Sequence, residues 1–305
     1  MRSLSRYLYA PCFCFGFIAL ATWLIAYRQL PAWLLLPLLA AAIGLSFLLE
    51  AWLPYQADWN RPHHDRWRDA LHAGVNEGLN LLGIASIPLL AGWLPASTVW
   101  PSAWPVWLQL LLAITVADLG ITLVHYLSHR NALLWRLHAV HHSVRRLYGF
   151  NGLMKHPLHQ ALEATAGTLP LLLAGLPQQI AALLAFAIAI QLLLQHSNVD
   201  MRCGKLSLLF AWAPVHRFHH LKYGRAGDVN FALFFCVWDR LLGTSFQHVG
   251  YRLDSQDLGI GDRTNYPDAY LAQLFAPFRN QRPNQPTPEL PAALRQPLPL
   301  SVEQT

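Results

Sequence analysis

The chain alternates long apolar runs with polar stretches that gather basic residues and histidines. A helix crossing a bilayer needs about 20 mostly apolar residues. Tyr7–Tyr27 meets that length without a charge, and Leu30–Leu53 meets it with one acid, Glu50, near its end. Leu79–Trp100 and Trp104–Val124 form a third and fourth run. Ala164–Gln195 is long enough for a tight helical pair, split by the turn signal Gly175-Leu176-Pro177. Leu206–Ala213 and Phe231–Val237 are too short to span and read as buried or interfacial pieces. The pattern predicts an all-α integral membrane helical bundle of about 4–6 apolar segments. It forms a single unit over 1–276. Seven prolines from Pro277 onward predict an extended or disordered tail over 277–305.

Composition agrees. Hydrophobic residues make up 54% and charged residues 12%, which excludes disorder over most of the chain, a collagen-like repeat and a coiled coil. The net charge of +6 would suggest nucleic acid in a soluble protein. Here it assigns loops to the cytoplasmic side of a membrane, and no nucleic acid is expected as a partner. With the N-terminus inside, Arg28 is the one basic residue of 22 on the outer side. The inverted arrangement would place the other 21 outside, against the positive-inside rule. The expectation is a multi-pass protein of the inner membrane whose N-terminus and histidine-rich segments face the cytosol. Arg2, Arg6 and Ala19-Leu20-Ala21 resemble a cleavable leader, but the apolar run continues through Trp23-Leu24-Ile25 and reads as an uncleaved first span. Four scattered cysteines exclude a disulfide framework. Trp93, Trp100, Trp104 and Trp107 read as an interfacial belt.

Of the 15 histidines, eleven fall between His125 and His220. They form three clusters: His125-x3-His129, His138-x2-His141-His142 and His216-x2-His219-His220. Residues at i, i+3 and i+4 share a helix face, so each cluster can offer two or three imidazoles to one point. His196 follows the last apolar run alone. A structural zinc takes four ligands. Nine imidazoles suit two ions with positions left open for a small ligand. Imidazole serves iron, zinc, copper and nickel alike, so ligand type does not choose the metal. Open positions near a membrane surface suit activation of O₂ by iron.

The ordered clusters resemble those of the fatty acid hydroxylase superfamily, also called the sterol desaturase family. Leu134-Trp135, His142-Ser143, His156-Pro157-Leu158, His196-Ser197-Asn198 and Trp238-Asp239-Arg240-Leu241-Leu242-Gly243-Thr244 extend the likeness over about 118–244. At the position after His-Pro-Leu where members often carry an acid, this chain has His159. The resemblance implies a membrane enzyme with a cytosolic di-metal cap. Two Fe²⁺ ions would be held by His125, His129, His138, His141, His142, His196, His216, His219 and His220, with His156 and His159 as additional candidates. It further implies O₂ as co-substrate, a membrane lipid as substrate and hydroxylation of a C–H bond. Desaturation at the same di-iron site is the alternative. Electrons must come from an external ferredoxin or cytochrome, because no dinucleotide fingerprint, haem-attachment motif or cysteine cluster is present. Readings of another class are a metal transporter and a structural zinc protein. A transporter should place its polar ligands along a path at the bilayer midplane.

Four polar residues are candidates for orienting the histidines. Asp118 lies in an apolar run seven residues before His125, where a charge costs about 2.5–3.5 kcal/mol and needs compensation. Asp228 and Asp239 lie near the third cluster, and Asp239 could instead clamp an arginine. Asn198 follows His196 and could hold that loop or cap a helix. Arg145, Arg146 and Lys155 read as loop positive charge. His63, His64, His72 and His248 read as ordinary polar residues.

Overall fold

The computed structural model describes residues 2–91, 99–248, 250–279 and 282–295. Among the described residues there are seven helices longer than ten residues: α1 Arg2–Thr22, α2 Leu35–Trp52, α3 Arg66–Ala91, α4 Val106–Arg130, α5 Ala132–His142, α6 Pro157–Leu173 and α7 Gln178–His196; all but α5, which carries the second histidine cluster, contain part of an apolar run. Among the described residues four stretches are long and apolar enough to cross a membrane: Ser3–Tyr27, Ala32–Trp52, Val106–Arg130 and Gln178–His196. The third apolar run differs from expectation. Its first half is the end of α3, a helix that begins in the polar cap, and 92–98 lie outside the described residues. The run at Ala164–Gln195 resolves into α6 and α7 as anticipated, with Gly175 at φ 90°, a conformation that favours glycine, in the turn.

Burial explains which helix sits where. Of α7, almost every residue from Ile180 to His196 is buried, as expected of a helix that is apolar all round. It is the central post of the bundle. α2 is as apolar but fully buries only Leu35, Ala42, Ser46 and Glu50, a narrow stripe, with Leu38, Leu39, Ile43 and Leu49 partly buried against the core. α4 and α6 cross at two glycines. A Cβ on Gly120 would lie 2.2 Å from the Ala166 carbonyl oxygen, and one on Gly167 would lie 3.1 Å from that of Ala117. This close crossing brings the ends of both helices together beneath the cap.

The cap has its own apolar core, in which Trp59, Leu147, Met154, Phe218 and Leu253 are buried. Two local signals start its helices. Asn131 caps α5, accepting from the backbone N–H groups of Leu133 and Leu134. His156 caps α6, whose first residue is Pro157. Arg146 is buried, bound to Asp65 through two nitrogens and stacked on Tyr148. Lys155 is buried against Glu163 at 2.5 Å. Neither is the loop charge expected from sequence. Within the proline-rich segment Pro277 is buried and Leu294 packs into the cap core. Residues 296–305 of that segment lie outside the described residues.

Candidate metal centre

The nine histidines of the three clusters and His196 converge from five elements. α4 supplies His125 and His129 from its last turns, α5 supplies His138, His141 and His142, and α7 supplies His196 at its final residue. The third cluster departs from a regular helix. His216 ends the short α8 (Ala213–His216), and His219 and His220 lie in the 3₁₀ turn that follows.

The histidines form two groups, each able to hold a metal ion. One is His125, His129, His138, His142 and His219; the other is His141, His196, His216 and His220. This corrects the expectation that each sequence cluster aims at one point. The physical reason is helical pitch. At about 100° per residue, i+4 lies about 40° beyond a full turn and i+3 about 60° short of it. His138 and His142 therefore serve one group and His141 the other. The same division separates His216 and His220 from His219, and His125 and His129 obey the i, i+4 rule as a pair.

The donor geometry suits coordination. Two imidazole nitrogens each about 2.1 Å from one ion stand about 3.0–3.4 Å apart. The Nε2 atom of His142 lies 3.0 Å from that of His138, 3.0 Å from that of His219 and 3.2 Å from that of His129. His125 Nε2 lies 2.8 Å from His219 Nε2. In the second group His196 Nε2 is 3.2 Å from His141 Nε2 and 3.3 Å from His220 Nε2. His216 Nε2 is buried with no hydrogen-bond partner. Neutral imidazoles packed nitrogen to nitrogen cannot all satisfy one another, and a cation shared among them resolves the conflict.

Protonation is consistent with this. Burial, and after it the neighbouring imidazoles, hold His138, His141, His142, His216 and His219 well below the ordinary histidine range. Burial brings His220 down to about 3. All six are neutral at pH 7, the form that ligates metal.

In four of the nine the opposite ring nitrogen is fixed by a well-placed oxygen atom. Nδ1 of His125 donates to Phe231 O at 2.8 Å, that of His141 to Met154 O at 3.1 Å and that of His219 to Val229 O at 2.9 Å. Nδ1 of His129 donates to Asp228 at 2.9 Å. Each such bond selects the tautomer that leaves Nε2 free. Removing the Asp228 carboxylate is expected to lower metal affinity about 10–100-fold. Metal retention of Asp228→Ala after dialysis against a graded chelator checks this. His156→Ala, outside both groups, should retain metal like the parent.

The other candidates take different places. Asp118 touches no histidine. It accepts from the backbone N–H groups of Leu233, Phe234 and Phe235 and from the Trp238 indole. Asp239 pairs with no arginine among the described residues; it accepts from the N–H groups of Phe231 and Ala232 and from the Thr244 hydroxyl. Both therefore fix the 231–235 loop, whose Phe231 carbonyl orients His125. Asn198 ties its loop to Gln56 and Asn60. His156 caps α6 and reaches the Leu274 carbonyl, away from both groups. His159 hydrogen-bonds Ser128 at 2.9 Å, stacks 4.6 Å from His138 and lies 3.7 Å from Glu163. His72 is buried between the Lys155 carbonyl and Gln273.

Two cavities adjoin the centre. A small one, ≈ 10 Å³, lies between the groups and touches His125, His138, His141, His196 and His216. A large one, ≈ 670 Å³, runs between α2, α3, α6 and α7. Ile121, Lys155, Glu163 and Leu233 line both and form the partition. Sequence reasoning missed Glu163, although an acid four residues after His159 on a helix was a readable signal. It also passed over Glu50 as a structural acid: buried, it accepts from the N–H groups of Gly149 and Asn198 and moors the loop after α7.

The profile of the family described as fatty acid hydroxylase matches residues 110–244. The ornithine lipid hydroxylase OlsE of Rhizobium tropici is 33% identical over 247 residues, which cover 78% of this chain and 73% of that protein. An alkylglycerol monooxygenase of Danio rerio is 30% identical over 48% of this chain and 31% of its own length. Sphinganine C4-monooxygenase 2 of Arabidopsis thaliana is 28% identical over 50% of this chain and 58% of its own. No solved structure matches. With the histidine clusters inside the matched segment, and one relative a third identical over most of both lengths, the chain belongs to the fatty acid hydroxylase family.

Proposed function

We propose that the protein is a membrane di-iron oxygenase that hydroxylates a C–H bond of a lipid. The observation that carries this reading is the convergence of nine imidazoles on two points beside a long apolar cavity. Residues of both groups would hold the irons through Nε2. When bound, two ferrous ions supply the reduction of O₂ and the cleavage of the C–H bond. The chain's own residues do the rest. Phe231 and Trp135 press their rings against the larger group, with Phe231 5.1 Å from His129 and Trp135 5.0 Å from it, and keep water from its outer side. The backbone oxygens and Asp228 hold His125, His129, His141 and His219 in one tautomer. Lys155 and Glu163 set a buried ion pair in the wall of the small cavity, at the partition.

The relatives named above act on an ornithine lipid, an alkylglycerol and sphinganine, all amphiphiles. We take the substrate to be a membrane lipid with a polar head. Electrons come from a separate ferredoxin or cytochrome. The basic loops support a cytosolic side for the N-terminus and the cap, at the inner membrane. Metal donors gathered at one end of α4 and α7 favour an enzyme over a transporter, which would spread its ligands along a path.

Elemental analysis of the detergent-solubilised protein tests this. About two irons per chain are expected, with O₂ uptake that depends on added lipid and an external reductant. One tightly held zinc, or metal flux into liposomes without O₂ consumption, would overturn the reading.

A further inference from the structure

The large cavity is not uniform. Its volume is in the range of small-molecule sites. Along most of its length the walls are apolar, from Leu36 and Leu39 to Leu172, Leu176 and Leu184. Ser86 and Thr168 also line it, but they turn their hydroxyls back onto carbonyls of their own helices. The polar exceptions collect between the middle of α3 and the first turns of α6, beside the partition that faces the metal centre. Glu77 accepts from the Asn80 amide at 3.3 Å, and Asn80 in turn accepts from Gln160 at 3.0 Å. One turn along α6 from Gln160 stands Glu163, bound to Lys155.

The charges at this end do not cancel. Lys155 is matched by Glu163. Among the described residues no cation stands within ion-pair distance of Glu77. A half-buried carboxylate on the wall of a cavity otherwise lined by leucines is costly unless a cation meets it.

We propose that the cap-side end of this cavity receives the ammonium group of an aminolipid, with Glu77 as its counter-ion, so that the lipid lies head-first toward the metal centre. This rests on the hydroxylase reading and deepens it. The acyl chain fills the apolar reach between α2, α6 and α7. The carbon that meets the partition then belongs to the head or to the first few carbons beside it, not to the far part of a chain.

The test uses three probes of one chain length with the full, detergent-solubilised protein. N-palmitoyl-ornithine carries the ammonium group, N-palmitoyl-norvaline lacks only that group, and N-palmitoyl-glutamate carries a carboxylate in its place. The wild type should bind the ornithine probe about tenfold more tightly than the norvaline probe, a difference of about 1.4 kcal/mol. Glu77→Gln should bring the two within about twofold while leaving norvaline binding and metal content unchanged. Glu77→Lys should reverse the preference toward the glutamate probe, which a merely structural role would not do. No preference in the wild type, or a preference that survives in Glu77→Gln, overturns the proposal. Iron content and O₂ uptake are measured on the same preparations. A Glu77-dependent preference in protein that consumes no O₂ overturns the hydroxylase reading alone. Lipid-dependent O₂ uptake without that preference overturns the receptor alone. Fragment masses of the product complete the test: oxygen on the ornithine portion supports the head-first orientation, and oxygen far along the palmitoyl chain overturns it.

Discussion

His142→Ala is expected to abolish lipid-dependent O₂ uptake. The residue is the hub of the larger group, with three imidazole nitrogens within 3.2 Å of its Nε2. The loss should go well beyond the roughly 10–100-fold typical of an outer-shell change. The informative comparison is its neighbour. His141→Ala removes a donor from the smaller group and leaves the larger one intact. Each variant should lose about half of the bound metal, and both should be inactive, because the two ions act together. Elemental analysis beside O₂ electrode traces reads both quantities. Full turnover in His141→Ala would remove the smaller group from the catalytic centre.

Asp118→Ala should be the most destabilising single change. The carboxylate is fully buried and satisfies three consecutive backbone N–H groups and an indole N–H. Each buried donor left unmatched costs about 1–3 kcal/mol, so a loss of several kcal/mol is expected. The 231–235 loop would lose its anchor on α4, and with it the Phe231 carbonyl that orients His125. A thermal melt in detergent should show a fall of many degrees together with loss of metal from the larger group. Asp118→Asn keeps the shape and part of the acceptor capacity, and should fall between the two. An unchanged melt for Asp118→Ala would show that the loop is held by its packing.

The fold was legible because lipid-facing segments announce themselves by length and lack of charge. The spans through α1, α2, α4 and α7 needed no tertiary information. α3 was not legible in the same way. Its first half packs on the cap through Asp69, His72 and Asn76, and its polar residues mask a helix that continues unbroken into the apolar part. The nine histidines were legible from spacing, yet their division between two groups was misjudged. A shared face was equated with a shared point, although His141 and His142 are consecutive and stand about 100° apart. Asp118 was noticed as an acid in an apolar run. Its partner was not, since a backbone loop 115 residues away leaves no trace in composition. Lys155 and Arg146 were discounted because loop cations are common, and only the fold reveals the acids that bury them.

The interleaving of the two histidine groups along α5 has a consequence for how such a sequence can change. Residues between the ligands, such as Ala139 and Val140, can be exchanged for others of similar size without moving any donor. Inserting or deleting one residue between His138 and His142 is another matter. It turns everything downstream by about 100° and shifts it 1.5 Å along the axis. Both groups would lose donors at one stroke, and no compensating change at a single side chain could restore them. The interval behaves like a reading frame written in helical phase. Divergence in this family should therefore proceed through substitutions within the histidine intervals, with gains and losses of length confined to the connections between them.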